Sequence, residues 1–145
     1  MKQRLTYALA SSAACIALAA LLVPYAPTQK AEGIGQIEVL GTIQGGYHQY
    51  VTRWLDTDEV RQLLPQIKMN SIPEILGRYP EGQLTYRLET DYNGRPLYLY
   101  YYPPEFYVTY NGRWMHRLCG SEDAVQRLHE ICSDACDKEL ADTIY

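Results

Sequence analysis

From Leu5 to Val23 this chain carries no charged residue, only Leu, Ala, Ile and Val with Thr6, Tyr7, Ser11, Ser12 and Cys15 interspersed. A helix with one watery side would show polar residues at helical spacing, and this run does not. Its 19 residues, at about 1.5 Å rise each, reach roughly 28 Å, close to the hydrocarbon thickness of a bilayer. A hydrophobic N-terminal helix directed to a membrane through residues 5–23 is therefore expected. Lys2 and Arg4 precede it, and basic residues stay on the cytoplasmic side, so everything after Val23 is expected outside. Residues 1–23 read as a signal anchor or a signal peptide. The uncleaved anchor is preferred, because no clean small-x-small site follows the run: Pro27 comes directly after Ala26, and a site at Ala17-Leu18-Ala19 would leave Leu21, Leu22 and Val23 on the mature end. Retention gives a single-pass protein of the cell membrane with its C-terminal domain outside; cleavage gives a secreted one. Lipidation at Cys15 ranks below both, since Ser12 stands where such sites usually hold Leu.

Residues 24–33 hold two prolines among polar residues and read as a tether. Residues 34–145 leave room for one extracytoplasmic domain. Ile37, Val39 and Ile43 recur on one side of a first strand, and Gly45-Gly46 turns it into a second over 47–54. Asp56 can cap a helix carrying Val60, Leu63, Leu64 and Ile67 at helical spacing, with Glu59 placed to reach back to the cap and an end near Met69. Residues 73–82 read as a loop or a single turn. From Leu84 the period is two, with Leu84, Tyr86 and Leu88 on one side. Asn93-Gly94, Pro103-Pro104 and Asn111-Gly112 then punctuate a four-stranded meander. After Ser121, a last helix aligns Val125, Leu128, Cys132, Ala135 and Leu140. The expectation is an α+β fold of order ββαββββα, an antiparallel sheet of about six strands with helices packed on one face.

Tyrosine is the compositional outlier, 14 copies against a single Phe, so nearly every ring carries a hydroxyl that wants water or a partner. Within the meander, Tyr98, Tyr100 and Tyr102 alternate with Leu97, Leu99 and Tyr101. If the latter pack under the helices, the former make a row on the opposite face, extended by Tyr107. Such a row offers large flat area at low entropy cost to a protein or cell-wall polymer partner; cross-strand pairing on a half-exposed sheet explains the same pattern without a ligand. A net charge of -4 argues against nucleic acid, whose phosphates demand clustered Lys and Arg.

Cys119, Cys132 and Cys136 share the C-terminal region with His116 and His129. The spacing His116-x2-Cys119-x9-His129-x2-Cys132-x3-Cys136 matches no recognised zinc pattern. A disulfide from Cys119 to Cys132 or Cys136 is the preferred reading outside the cytoplasm, ordinary buried thiols come second and a metal third. Cys119 with His116 lacks a third orienting group for nucleophilic catalysis. No catalytic set, metal site or cofactor is assigned.

The stretch Ile37 to Ile43, then Asp56-Thr57-Asp58-Glu59-Val60-Arg61-Gln62-Leu63-Leu64, then Tyr107-Val108-Thr109-Tyr110-Asn111-Gly112-Arg113-Trp114, resembles small exported and lipoprotein-type domains of Gram-positive bacteria whose function is unknown. The resemblance implies an extracytoplasmic, non-enzymatic role. Three expectations follow: an envelope interaction domain, an exported inhibitor or immunity-like protein presenting the Tyr row and the Pro103-Pro104 turn, and, from another class, a zinc- or thiol-dependent enzyme around Cys119.

Overall fold

The computed structural model describes residues 2–70, 73–74, 80, 82–112 and 114–144. Helix α1 (Lys2–Leu22) opens the chain; within it, side chains are described for Tyr7 and residues 10–19. Among the described residues no helix is long and apolar enough to cross a membrane. The spanning helix expected over 5–23 is thus not shown, because the described side chains cover only part of the roughly 20 residues a span requires.

The rest is α+β, with seven strands forming one antiparallel sheet among the described residues. They are β1 (Glu38–Ile43), β2 (Tyr47–Tyr50), β3 (Lys68–Met69), β4 (Tyr86–Tyr92), β5 (Arg95–Tyr102), β6 (Glu105–Tyr110) and β7 (Met115–Cys119), with α2 (Thr57–Leu63) between β2 and β3 and α3 (Glu122–Ile144) last. The spatial order is β2-β1-β4-β5-β6-β7-β3, and every pairing is antiparallel. The turns form where the sequence supplies residues that tolerate positive φ: Gly45 and Gly46 at 88° and 82°, and Asn111 and Gly112 at 58° and 68°.

Strand alternation separates two faces. Register aligns Val39, Leu88, Leu99, Val108 and His116 in one inner row across β1, β4, β5, β6 and β7. Val60 and Leu64 from α2, and Leu128, Cys132 and Ala135 from α3, join these strand residues in one buried core. Both helices therefore lie on the inner face, as helices over an antiparallel sheet should. Gly41 lets α3 come close: a Cβ there would stand 2.7 Å from Cys136 Sγ and 3.3 Å from Val51 Cγ1.

Several local expectations shift. Asp56 caps α2 by accepting from the amides of Asp58 and Glu59 at 3.1 and 3.0 Å, but the Glu59 carboxylate, instead of reaching back, accepts from Arg127 at 2.6 and 3.1 Å and ties α2 to α3. The helix stops at Leu63 instead of near Met69. Pro65 is the reason, since it has no amide to donate and restricts the residue before it, and the chain continues as a 3-10 turn over Leu64–Gln66. That early stop frees Lys68–Met69 to form the seventh strand, against Cys119 and Leu118. Of the loop expected over 73–82, only residues 73–74, 80 and 82 are described, and Arg113 of the last hairpin lies outside the described residues.

The tether is docked. Tyr25 exchanges two backbone hydrogen bonds with Met69, at 3.1 and 2.9 Å, and Gly35 donates to the Asp91 carbonyl at 2.9 Å. Pro27 and Thr28 are buried. Residues 25–35 thus run along the folded body.

Candidate binding face

On the outer face the rows fall one residue out of step with the core. Leu40, Arg87, Tyr100, Tyr107 and Arg117 align across β1, β4, β5, β6 and β7, while Glu38, Glu89, Tyr98, Thr109 and Met115 make the neighbouring row. Tyr98, Tyr100 and Tyr102 follow one another along β5 because strand side chains repeat every second residue. Their ring centroids are separated by 6.4 Å at each step, the second pair stacked. Tyr107 meets Tyr102 edge-on at 6.3 Å. The structure thus brings all four tyrosines onto one face. Tyr107 is only 8% exposed, so it backs the row, while the other three remain half-buried and present ring surface outward.

Guanidinium groups close both flanks. Arg87 lies over Tyr98 with 5.7 Å between its central carbon and the ring centroid, and Arg117 lies over Tyr107 at 6.0 Å. Each is neutralised by carboxylates: Arg87 donates to Glu89, and Arg117 pairs with Glu74 at 3.5 Å and Glu105 at 3.9 Å. The face therefore combines flat aromatic area, phenol hydroxyls and paired ions with little net charge. Such a surface can stack and hydrogen-bond with a neutral polar chain; it offers no activated nucleophile.

The expected disulfide is not formed: Cys15, Cys119, Cys132 and Cys136 are all free. Geometry explains the correction. Cys119 ends β7 just before α3, whereas Cys132 and Cys136 lie about 15 and 21 Å along the axis of a helix that starts at Glu122, and a bridge needs Cα atoms within about 7 Å. Cys132 is buried against the core and Cys136 against Gly41. Cys119 sits in an open groove with Pro104, Glu105, Phe106, Glu122 and Asp123. Burial pushes its thiol up despite the opposing effect of Lys68, the reverse of what a thiolate nucleophile requires.

The histidines are committed elsewhere. His116 Nδ1 lies 2.7 Å from the Asn70 carbonyl, and three residues along β7 from Cys119 it faces the other side of the strand. His129 Nδ1 lies 3.0 Å from the Tyr86 hydroxyl, and its ring packs 4.6 Å from Tyr101 and 5.8 Å from Phe106. Burial, followed by the neighbouring thiols and phenol, raises the Tyr86 phenol well above its ordinary range. Among the described residues no group of three or more His, Cys, Asp or Glu could hold a metal ion.

One polar cluster had no counterpart in the sequence reading. Glu139 is 1% exposed, and its carboxylate accepts from Gln49 at 2.5 Å, from Arg53 at 2.9 and 3.1 Å and from the Trp54 indole at 2.8 Å. A buried carboxylate held by this many donors is satisfied in place, so it locks α3 to β2 and to the turn that follows it. No protein-family profile, curated protein or solved structure matches this chain.

Proposed function

We propose that this protein is a non-enzymatic interaction module of the cell envelope, held at the membrane by its N-terminal segment and engaging a protein or envelope polymer through the outer sheet face. The observation that carries the reading is the row of Tyr98, Tyr100 and Tyr102, backed by Tyr107 and flanked by Arg87 and Arg117. Helices cover the opposite face, where burial accounts for the side chains. The outer rings carry more aromatic area than sheet pairing needs, since β-branched residues serve that purpose equally well. The uncharged run from Leu5 to Val23 after Lys2 and Arg4 supports delivery to the far side of a membrane.

The test is co-sedimentation of the full chain with isolated cell envelopes and with purified cell-wall polymer, comparing wild type with a Tyr98→Ser, Tyr100→Ser, Tyr102→Ser variant. Saturable binding that falls at least about tenfold in the variant, as expected from losing more than 1.4 kcal/mol of stacking, supports the reading. Equal binding by a variant with an unchanged unfolding transition would sink it.

A further inference from the structure

The docked tether fixes where the folded body can sit. Helix α1 ends at Leu22, and the chain is already hydrogen-bonded to β3 at Tyr25. Two Cα steps beyond Val23, the last apolar residue of the run, Tyr25 lies no more than about 7 Å away. The polar headgroup layer on each side of a bilayer is itself roughly 5–7 Å thick. An inserted α1 therefore leaves no room for a water-filled gap.

The corner that holds Tyr25 has the side chains for this position. The Tyr25 ring stands edge-on to His116 at 6.5 Å, which places it beside β7; its phenol is raised by burial first and by Tyr110, at the end of β6, second. Trp114 stands immediately before β7, two residues from His116. Tyr25 is 43% exposed and Trp114 55%, beside the buried His116. Exposed Tyr and Trp gathered where a chain leaves a membrane helix are the residues that settle at the headgroup level.

We infer that the corner formed by Tyr25, Tyr110 and Trp114 is a lipid-contacting surface, seated in the headgroup layer of the membrane that receives α1. The inference rests on the membrane reading above. It also orients the molecule: β3 and β7 lie next to the bilayer, and β2, six strand spacings or about 29 Å across the sheet, lies away from it.

The two tryptophans make a built-in ruler. Trp54 follows β2 and is held by Glu139; Trp114 is at the proposed corner. The full chain is reconstituted into phosphatidylcholine vesicles brominated near the headgroup end of the acyl chains, and its retention is checked by alkaline carbonate extraction. Wild type is expected to lose a large share of its tryptophan emission, Trp114→Phe to lose little, and Trp54→Phe to lose nearly all. Carbonate-resistant protein in which wild type and Trp114→Phe are quenched equally overturns the inference and leaves the membrane reading standing. Release by carbonate overturns both.

Discussion

Val39, Leu88, Leu99 and Val108 form a row on the inner face with none more than 3% exposed, whereas one residue along the same strands Leu40, Arg87, Tyr100 and Tyr107 form a row on the outer face. The first row is aliphatic and sealed by α2 and α3; the second is aromatic and ionic, each guanidinium placed over a ring and beside a carboxylate. A period of two keeps the sets apart, since any one-residue slip would exchange them wholesale. The lesson is a division of labour: burial on one face holds the fold, while most of the rings on the other stay half-buried with surface outward.

Truncation should separate the faces most sharply. Leu88→Ala is expected to cost about 2–5 kcal/mol, the transfer term plus a cavity under α3. Tyr100→Ser, in the adjacent strand and the other face, is expected to cost less than about 1 kcal/mol, the size of a cross-strand pair. Urea unfolding of the full chain measures both, and comparable losses would mean that the outer row is itself a core.

Glu139 sharpens the comparison, because it is a charge on the dry face. Glu139→Ala should destabilise by about 2–3 kcal/mol, since Gln49 and the Trp54 indole lose a buried acceptor. Glu139→Gln, which keeps one acceptor oxygen, should cost less. The Arg53 guanidinium is exposed and turns to water in either variant, so added salt should leave most of the loss in place. A loss abolished by salt would instead assign the cluster to surface electrostatics.

Glu139 also shows what the sequence can and cannot convey. The spacing Leu128, Cys132, Ala135, Glu139 is a helical stripe, yet apolarity favours Leu140 over Glu139 unless the donors that neutralise the carboxylate are known. Those donors lie about 85–90 residues earlier in the chain. The alternating faces, the Asn-Gly turns and the Asp56 cap were legible because each is local: a period, a dihedral preference, a hydrogen bond within three residues. The Tyr98, Tyr100, Tyr102 row was legible for the same reason. Pairings between distant segments were not, which is why β3, the docking of Tyr25 on Met69 and the unbridged state of Cys119 all emerge only from the fold. Pro65 is the exception, a local signal outweighed by the apolar period around it.

Closeness of helix and sheet supplies the next test. Gly41→Ala should cost about 1–3 kcal/mol by overpacking against Cys136. In a Cys136→Ala background, where the atom 2.7 Å from the new Cβ is gone, most of that cost should vanish. The non-additivity of a double-mutant cycle reads the contact directly, and additive losses would show that α3 does not approach Gly41.

The smallest effect concerns protons. Cys136 is pushed up from 9.0 to about 11, chiefly by burial and secondarily by the charge of Asp137. A thiol raised on folding adds stability below its unfolded value near 9, where both states are protonated. As pH rises from there the unfolded chain loses its proton first, so the contribution falls and is gone once pH passes about 11. Cys132 and Tyr86 are raised for the same reason of burial, so the wild-type protein should lose stability steadily on the alkaline side. Cys136→Ala should remove one share of that slope, about 1–2 kcal/mol between pH 9 and 11, in urea midpoints measured across the range. Thiol labelling provides the kinetic counterpart: Cys132, 0% exposed, should react with a disulfide reagent only as fast as α3 lifts from the sheet, whereas Cys119, in its open groove, should react ahead of it in the folded protein. Equal rates at both positions would mean that the inner face is not sealed, and the contrast between the two faces would lose its physical basis.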